Sequence, residues 1–301
     1  MEKQRYEAID SLRGIAALGV VVYHLALGYE ELYGFQTLNI PGWIEAFRYG
    51  PHFFYMISGF VIFLTLDRHT GFVPFMRARL IRLLPAFWVC LPVAALVGTW
   101  LGPDDAARTV LDVFINGLFL QGVLDTPHVD LAYWSLLIEM SFYLLAGVLI
   151  AHFNLRHRLT LLLSVWLVIS FLGMLYWDSM NRFGEIVFKE LLIVRYAIYF
   201  IPGIIFYRAI QDGWLRHSHK FLLVGCGLLM VGSLPLAYGF QMVGLMVVFW
   251  ASVQGKLNWL LCYRPLLWLG AISYPLYVSH QVIGTALIHN LQASGVNELF
   301  S

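Results

Sequence analysis

Charge is what this chain has least of. Asp, Glu, Lys and Arg make up 12% of its 301 residues, and apolar residues make up 60%. An ordinary soluble domain carries about 25% charged residues. The deficit excludes a free soluble globule and describes an integral membrane protein with little mass outside the bilayer. The formal net charge is only +1, so the basic field of a nucleic-acid-binding protein is missing and no nucleic-acid partner is expected. Cysteine is scarce too. Cys90, Cys226 and Cys262 lie in or beside apolar runs, without metal-ligand spacing, and an odd number leaves one unpaired. They read as small buried hydrophobes, and no metal site is expected. There is no low-complexity tract, repeat or soluble segment, so residues 1–301 read as a single membrane domain. A cleaved leader is not expected either. Glu2, Glu7 and Asp10 spoil a positive n-region, and Arg13 interrupts the apolar core.

What the chain does have is long apolar runs. Segments near 9–28, 52–66, 84–101, 133–151, 159–177, 187–207, 221–237, 239–253 and 266–288 are long and apolar enough to be read as crossings. A shorter segment at 111–124 is ambiguous. Lys3 and Arg5 place the N-terminus inside, and the cluster Arg68, Arg77, Arg79 and Arg82 marks another inner loop. The later basic loops stay inside only if 111–124 is re-entrant or interfacial. The expected fold is all-α: a polytopic bundle of about nine to ten transmembrane helices, plus a basic interfacial helix on the cytoplasmic side.

Two ionisable residues interrupt the first run. Arg13 and His24 are eleven residues apart, which returns to nearly the same helix face and rises about 16 Å. Ionisable groups inside hydrocarbon are costly and mark functional sites by default. A neutral imidazole can take a proton from a hydroxyl and return one to a leaving group, which makes His24 the candidate general base. The plainer reading is a packed histidine bonded to a backbone carbonyl.

Glu139 is the other buried-carboxylate candidate. Ser135 and Tyr143 lie four residues to either side, on its face. A buried carboxylate needs a partner, and His24 or Arg13 would serve. Its role would be to orient the imidazole, or simply to fix helix packing. Phe75–Pro85 is a basic helix in which Arg79 and Arg82, one turn apart, offer two planar forks suited to phosphate, with Arg77 nearby. Anchoring to anionic lipid explains the same pattern. Ser58-Gly59 permits a close helix approach. Ser273, Tyr277 and His280 share a face of a segment that Pro275 should kink. Glu190 and Arg195 lie in another run and could pair.

Taken in order, these segments resemble the acyltransferase-3 family of integral membrane acyltransferases. The resemblance rests on Leu12-Arg13-Gly14 followed by His24, and on Phe53-Phe54-x3-Ser58-Gly59-Phe60. It continues through Arg79-x2-Arg82 with Pro85, Trp134-Ser135-Leu136-x2-Glu139-x3-Tyr143, and Gly270-x2-Ser273-Tyr274-x2-Tyr277-x2-His280. It implies an acyl-coenzyme A donor, with acetyl-CoA expected, used from the cytoplasm of a bacterial inner membrane. The acceptor would be a hydroxyl of an extracytoplasmic carbohydrate or glycolipid. By that likeness Arg13 and His24 are the essential pair of the first helix, and Arg79 with Arg82 serves donor handling. Asp10, Ser58, Trp134, Ser135, Tyr143, Tyr277 and His280 become supporting or substrate-contact candidates. Many relatives carry a fused esterase-like domain or a further helix, neither of which is expected here.

Two other functions compete on the residues alone. In a proton-coupled transporter or flippase, Arg13, His24 and Glu139 would form a relay through the membrane. In a non-catalytic membrane subunit, the same residues would be packing glue.

Overall fold

A computed structural model describes residues 6–33, 41–102 and 107–294. Helices account for its regular structure, and the described residues contain no strand. This follows from the composition, because a helix satisfies its own backbone hydrogen bonds where water cannot. In chain order the α-helices are α1 Glu7–Tyr33, α2 Gly50–Arg68, α3 Phe72–Leu101, α4 Val110–Gly117 and α5 Gln121–Leu124. They continue as α6 Trp134–Ala146, α7 Leu159–Leu175, α8 Arg182–Glu185, α9 Ala197–Asp212, α10 His217–Ser233, α11 Leu236–Val253, α12 Asn258–Leu261, α13 Arg264–Ser279 and α14 Gln281–Ala293.

Among the described residues, six helical stretches are long and apolar enough to cross a membrane: Glu7–Tyr29, Gly42–Arg68, Phe72–Leu101, Leu131–His152, Leu155–Leu175 and Leu236–Val253. The three other expected crossings are shorter or broken. The run at 187–207 is split between a π-helical turn, Ile186–Leu191, and α9. The run at 221–237 is the 17-residue α10. The run at 266–288 is divided at His280 into α13 and α14. The ambiguous segment 111–124 forms α4 and α5, of eight and four residues, too short to cross.

The basic segment also differs from expectation. It is no separate interfacial helix but the first half of α3, which runs 30 residues through Pro85 and Pro92. A proline inside a membrane helix is tolerated when neighbours satisfy the backbone it disturbs. Pro85 removes the helical hydrogen bond to the Ile81 carbonyl; two residues further on, the Tyr274 hydroxyl donates to the Leu83 carbonyl at 2.9 Å.

The chain divides into two compact units. The first comprises Met1–Ile15, Pro51–Ile81 and Ile138–Ala271; the second comprises Ala16–Gly50, Arg82–Leu137 and Ile272–Ser301. The first is built on two backbone-to-backbone crossings. In one, Gly59 of α2 meets Gly203 of α9. A Cβ on Gly59 would lie 2.3 Å from the Phe200 carbonyl oxygen, and one on Gly203 would lie 1.9 Å from that of Met56. In the other, Gly14 of α1 meets Gly270 of α13, where a Cβ on Gly14 would lie 2.6 Å from the Gly270 nitrogen. Small residues allow this approach where no hydrophobic force draws helices together. Around the first crossing, Phe60, Tyr207, Phe249 and Phe206 pack edge-on or tilted.

Helices α7, α9, α10 and α11 complete this unit. The break before α9 leaves two carbonyls without helical partners, and α7 supplies them. Trp166 Nε1 donates to Leu192 O at 2.8 Å, and the Ser170 hydroxyl donates to Val194 O. Between those carbonyls Ile193 takes φ 44° while fully buried, a left-handed conformation that a β-branched residue adopts only when its surroundings impose it. At the end of α2, Asp67 takes hydrogen bonds from Tyr207 and Arg156, and Arg156 also binds the Leu66 carbonyl.

The second unit is held by buried polar residues as well as rings. Asn116 is fully buried. Its amide donates to Asp112 O and Pro127 O, and its oxygen accepts from Val129 N, so it pins the 127–129 strip to α4. Phe87 of α3 stacks on Phe119 and meets Tyr133 edge-on.

Candidate active site

In the second unit, α13 stops at Ser279 and α14 begins at Gln281. The strip before α6 grips that break from both sides. The Tyr133 hydroxyl donates to the Val278 carbonyl at 2.9 Å. The Asp130 carboxylate accepts from Val282 N at 3.0 Å through one oxygen and from Ala132 N at 2.8 Å through the other. Ser135 Oγ lies 2.6 Å from the Tyr277 hydroxyl and 3.0 Å from the Ala132 carbonyl. The Tyr277 hydroxyl also lies 3.4 Å from the Ala132 carbonyl, so the two hydroxyls are hydrogen-bonded to each other and share that acceptor. The sequence placed the kink at Pro275. The structure breaks the segment five residues later, because the groups freed at 278 and 282 find partners there.

This grip sets His280, which is 5% exposed. Its Nδ1 lies 2.7 Å from the Tyr277 carbonyl, and its Nε2 lies 2.8 Å from Nδ1 of His24 on α1. The two ring planes are inclined by 26° with centroids 5.0 Å apart, so the rings meet edge to edge through these nitrogens. His24 itself is partly exposed, so its remaining nitrogen, Nε2, is the one available to a substrate. Gly28, one turn on, is buried beside the ring, where a Cβ would lie 3.4 Å from His24 in ordinary van der Waals contact. Arg48, exposed at the end of the 3-10 turn Gly42–Tyr49, lies over the Tyr23 ring at 5.9 Å and acts electrostatically on His24. Sequence reasoning missed Arg48, because a lone arginine in a long loop carries no pattern.

Glu139 belongs to the first unit. Its Oε1 accepts from the Tyr143 hydroxyl at 2.5 Å and from Ser58 Oγ at 3.1 Å. The expected face shared with Tyr143 is present, while Ser135 is engaged by Ala132 and Tyr277. The Nδ1 of His24, the nitrogen an orienting carboxylate would take, is bonded to His280. The carboxylate instead ties α2 to α6.

The arginines of α3 separate by exposure. Arg79 is 5% exposed; its Nη2 donates to Val61 O at 2.8 Å, and its guanidinium lies 5.8 Å from the Tyr143 ring centre. It is turned into the helix packing, whereas Arg77 and Arg82 are exposed. The pattern was readable. Phe75, Arg79, Leu83 and Phe87 recur every four residues and are all buried, a single inward stripe.

Arg13 and Asp10 are partly exposed on the first-unit half of α1, where the Asp10 carbonyl faces Gly270. Trp134 starts α6, partly exposed. Glu190 and Arg195 do not pair with each other. Glu190 Oε1 lies 3.4 Å from Lys189 Nζ, and Arg195 stacks on Trp177. All three cysteines are free, and among the described residues no cluster of His, Cys, Asp or Glu could hold a metal.

Fold and site together define a polytopic helical membrane protein with a bonded imidazole pair in one unit and exposed cations along α3. The chain belongs to a known family: the acyltransferase domain model matches residues 6–300. It is 28% identical over 180 residues to the O-acetyl transferase of Shigella phage Sf6, covering 54% of this chain and 52% of that one. It is 26% identical over 308 residues to a Komagataeibacter xylinus protein provisionally named membrane-bound transacylase BcsY, covering 92% of this chain and 72% of that one. A protein of Acidianus two-tailed virus, provisionally named an acetyltransferase, is 28% identical over 175 residues, covering 56% of this chain and 48% of its own length. The chain thus spans about half the length of two of these relatives. No solved structure matches.

Proposed function

We propose that this protein is a membrane O-acyltransferase that moves an acyl group, acetyl by preference, from acyl-coenzyme A to a hydroxyl of a carbohydrate or glycolipid. The donor is used from the cytoplasm, and the acceptor lies on the extracytoplasmic side of a bacterial inner membrane. The observation that carries the reading is the His24–His280 contact at 2.8 Å. It engages one nitrogen of a membrane-embedded imidazole and leaves the other for an incoming hydroxyl. Family membership and the names of the relatives support the same chemistry.

In this reading His24 Nε2 takes the hydroxyl proton as the oxygen attacks the thioester carbonyl. The tetrahedral intermediate collapses to ester and coenzyme A thiolate, and the proton on His24 returns to the sulfur. General-base assistance of this kind contributes roughly 10²–10⁴-fold. Arg48 places a positive charge near the imidazole, where negative charge develops on oxygen. Arg77 and Arg82 are the α3 cations accessible to the phosphates of the donor. Arg13 helps position the donor, and Ser58 with Glu139 and Tyr143 braces α2 against α6.

The test is transfer of label from radiolabelled acetyl-coenzyme A in liposomes holding the purified protein. Loss of coenzyme A release in His24→Ala, with weakened donor binding in Arg77→Ala/Arg82→Ala, is the expected result. Retained transfer in His24→Ala overturns the mechanism. Proton-coupled uptake without donor would move the protein to the transporter class.

A further inference from the structure

We infer that His280 is the positioning residue that fixes His24 as a base, by dictating which of its nitrogens carries the proton. The inference rests on the reading of His24 given above and deepens it.

The argument starts at a group with no choice. The Tyr277 carbonyl can only accept, so the nitrogen 2.7 Å from it, His280 Nδ1, carries a hydrogen. In a neutral ring the other nitrogen then has a lone pair. His280 Nε2 is therefore an acceptor, and the contact at 2.8 Å requires His24 Nδ1 to be the donor. His24 Nε2 is left with the lone pair. A backbone carbonyl thus sets the protonation of a ring on another helix through one intermediate imidazole. A histidine free to choose would populate both tautomers, and only one is a base at Nε2.

The carbonyl is itself held. The Tyr277 hydroxyl is hydrogen-bonded to Ser135, Tyr133 donates to the next carbonyl at Val278, and Asp130 takes the Val282 amide. The residues around the Trp134-Ser135 motif and the Tyr277-x2-His280 motif are two halves of one clamp. Its output is the direction of the His280 ring.

Proton balance also follows. When the acceptor oxygen loses its proton to His24 Nε2, the imidazolium keeps its Nδ1 hydrogen bond to His280. Among the described residues no carboxylate bonds either ring, so the positive charge is spread over the imidazole pair and the Tyr277 carbonyl dipole. Among the described residues, the charged and polar groups facing His24 are His280, Arg48 and the Tyr23 ring. With a cation nearby and no anion bonded to the pair, the rate should rise with pH along a single limb set by the pair.

The experiment replaces His280 in the full-length protein in liposomes and reads acetyl transfer across pH, with ¹⁵N-histidine spectra of the same samples. His280→Gln keeps an oxygen able to accept from His24 Nδ1 and should stay within about tenfold of wild type, with the same pH profile. His280→Leu cannot accept and should lose at least about 100-fold in kcat, with KM for the donor unchanged. His280→Glu puts an anion beside the imidazole, raises its proton affinity, and should move the limb to higher pH. The wild-type spectra should show His24 protonated at Nδ1. A His24 ring protonated at Nε2 overturns the inference, as does a His280→Leu protein with wild-type rate and pH profile. If His280→Leu fails to fold, the Gln and Glu variants and the wild-type spectra decide. Transfer that survives His24→Ala defeats the acyltransferase mechanism itself. An inactive His24→Ala beside an unaffected His280→Leu defeats only the positioning role.

Discussion

Gly59 and Gly203 stand at the crossing of α2 and α9 with no room for a methyl group on either. A Cβ on Gly203 would lie 1.9 Å from the Met56 carbonyl oxygen, and one on Gly59 2.3 Å from that of Phe200. The obstacle in both cases is backbone, which cannot rotate away. Gly59→Ala or Gly203→Ala should therefore cost at least the about 1–3 kcal/mol typical of overpacking, and should lower the melting temperature in detergent by several degrees. Gly244→Ala in α11 meets nothing within 4 Å and should be neutral or stabilising by up to about 1 kcal/mol. Equal melting temperatures for all three variants would show that the helices do not approach this closely.

Arg79 and Arg82 should respond to substitution in opposite ways. Arg79 is buried on the Phe75–Leu83 stripe and donates to Val61 O. Arg79→Ala should destabilise by about 2–3 kcal/mol, through lost packing and a lost charge-assisted hydrogen bond to a carbonyl that Thr65 also binds. Arg82→Ala should leave the melting temperature within a degree or so while raising KM for acyl-coenzyme A by about tenfold, the value of one charge-assisted hydrogen bond. Titration calorimetry with the donor and thermal melts of the same samples separate the two effects.

The helical membrane class was readable because it follows from composition alone, and Gly59 was readable as a close-approach residue because small residues have one common use between membrane helices. The pairing of His24 with His280 was not. Both residues were candidates, but nothing in a single chain says that positions 256 apart meet. Glu139 took the orienting role on paper because a carboxylate is the usual partner of a catalytic histidine. The Tyr277 backbone carbonyl that bonds His280 carries no side-chain signal. The break at His280 was hidden for a related reason. Pro275 announces a kink locally, whereas the break depends on Tyr133 and Asp130, supplied by a distant segment. The burial of Arg79 was half legible: its four-residue register with Phe75 and Leu83 was visible, but the density of basic residues pointed to the surface.

The Glu139 carboxylate should behave as a structural brace. Tyr143→Phe removes the 2.5 Å hydrogen bond and keeps the ring beside Arg79. The expected loss is about 1.5–3 kcal/mol, the range for hydrogen bonds to charged groups. Ser58→Ala removes the longer bond of 3.1 Å and should cost less. Both act on one oxygen, so the double variant should be non-additive. Activity per folded molecule should stay within a few-fold with an unshifted pH profile. A shifted profile in Tyr143→Phe would return Glu139 to the proton chemistry.

Asp130 gives the fold a pH dependence with a defined sign. It caps the 3-10 turn Leu131–Tyr133 and holds Val282 N across the helix break. Burial pushes its carboxyl up from 3.8 to about 6, although the Val282 and Ala132 amides pull the other way. A folded state with the higher proton affinity is favoured at low pH. Its contribution is full below about pH 4, falls as pH rises through about 6, and is flat above. Two pKa units correspond to at most about 3 kcal/mol. Asp130→Asn removes the titration while keeping one acceptor oxygen for the cap. The melting temperature of the wild type, relative to that of Asp130→Asn, should therefore decline between pH 4 and 6 and run parallel to it from pH 7 to 8. Asp130→Ala, which orphans both amides, should be less stable than either throughout, by about 1–3 kcal/mol. A wild type that instead gains on Asp130→Asn between pH 4 and 6 would mean that the two amide hydrogen bonds outweigh burial and that the carboxyl titrates below its ordinary value.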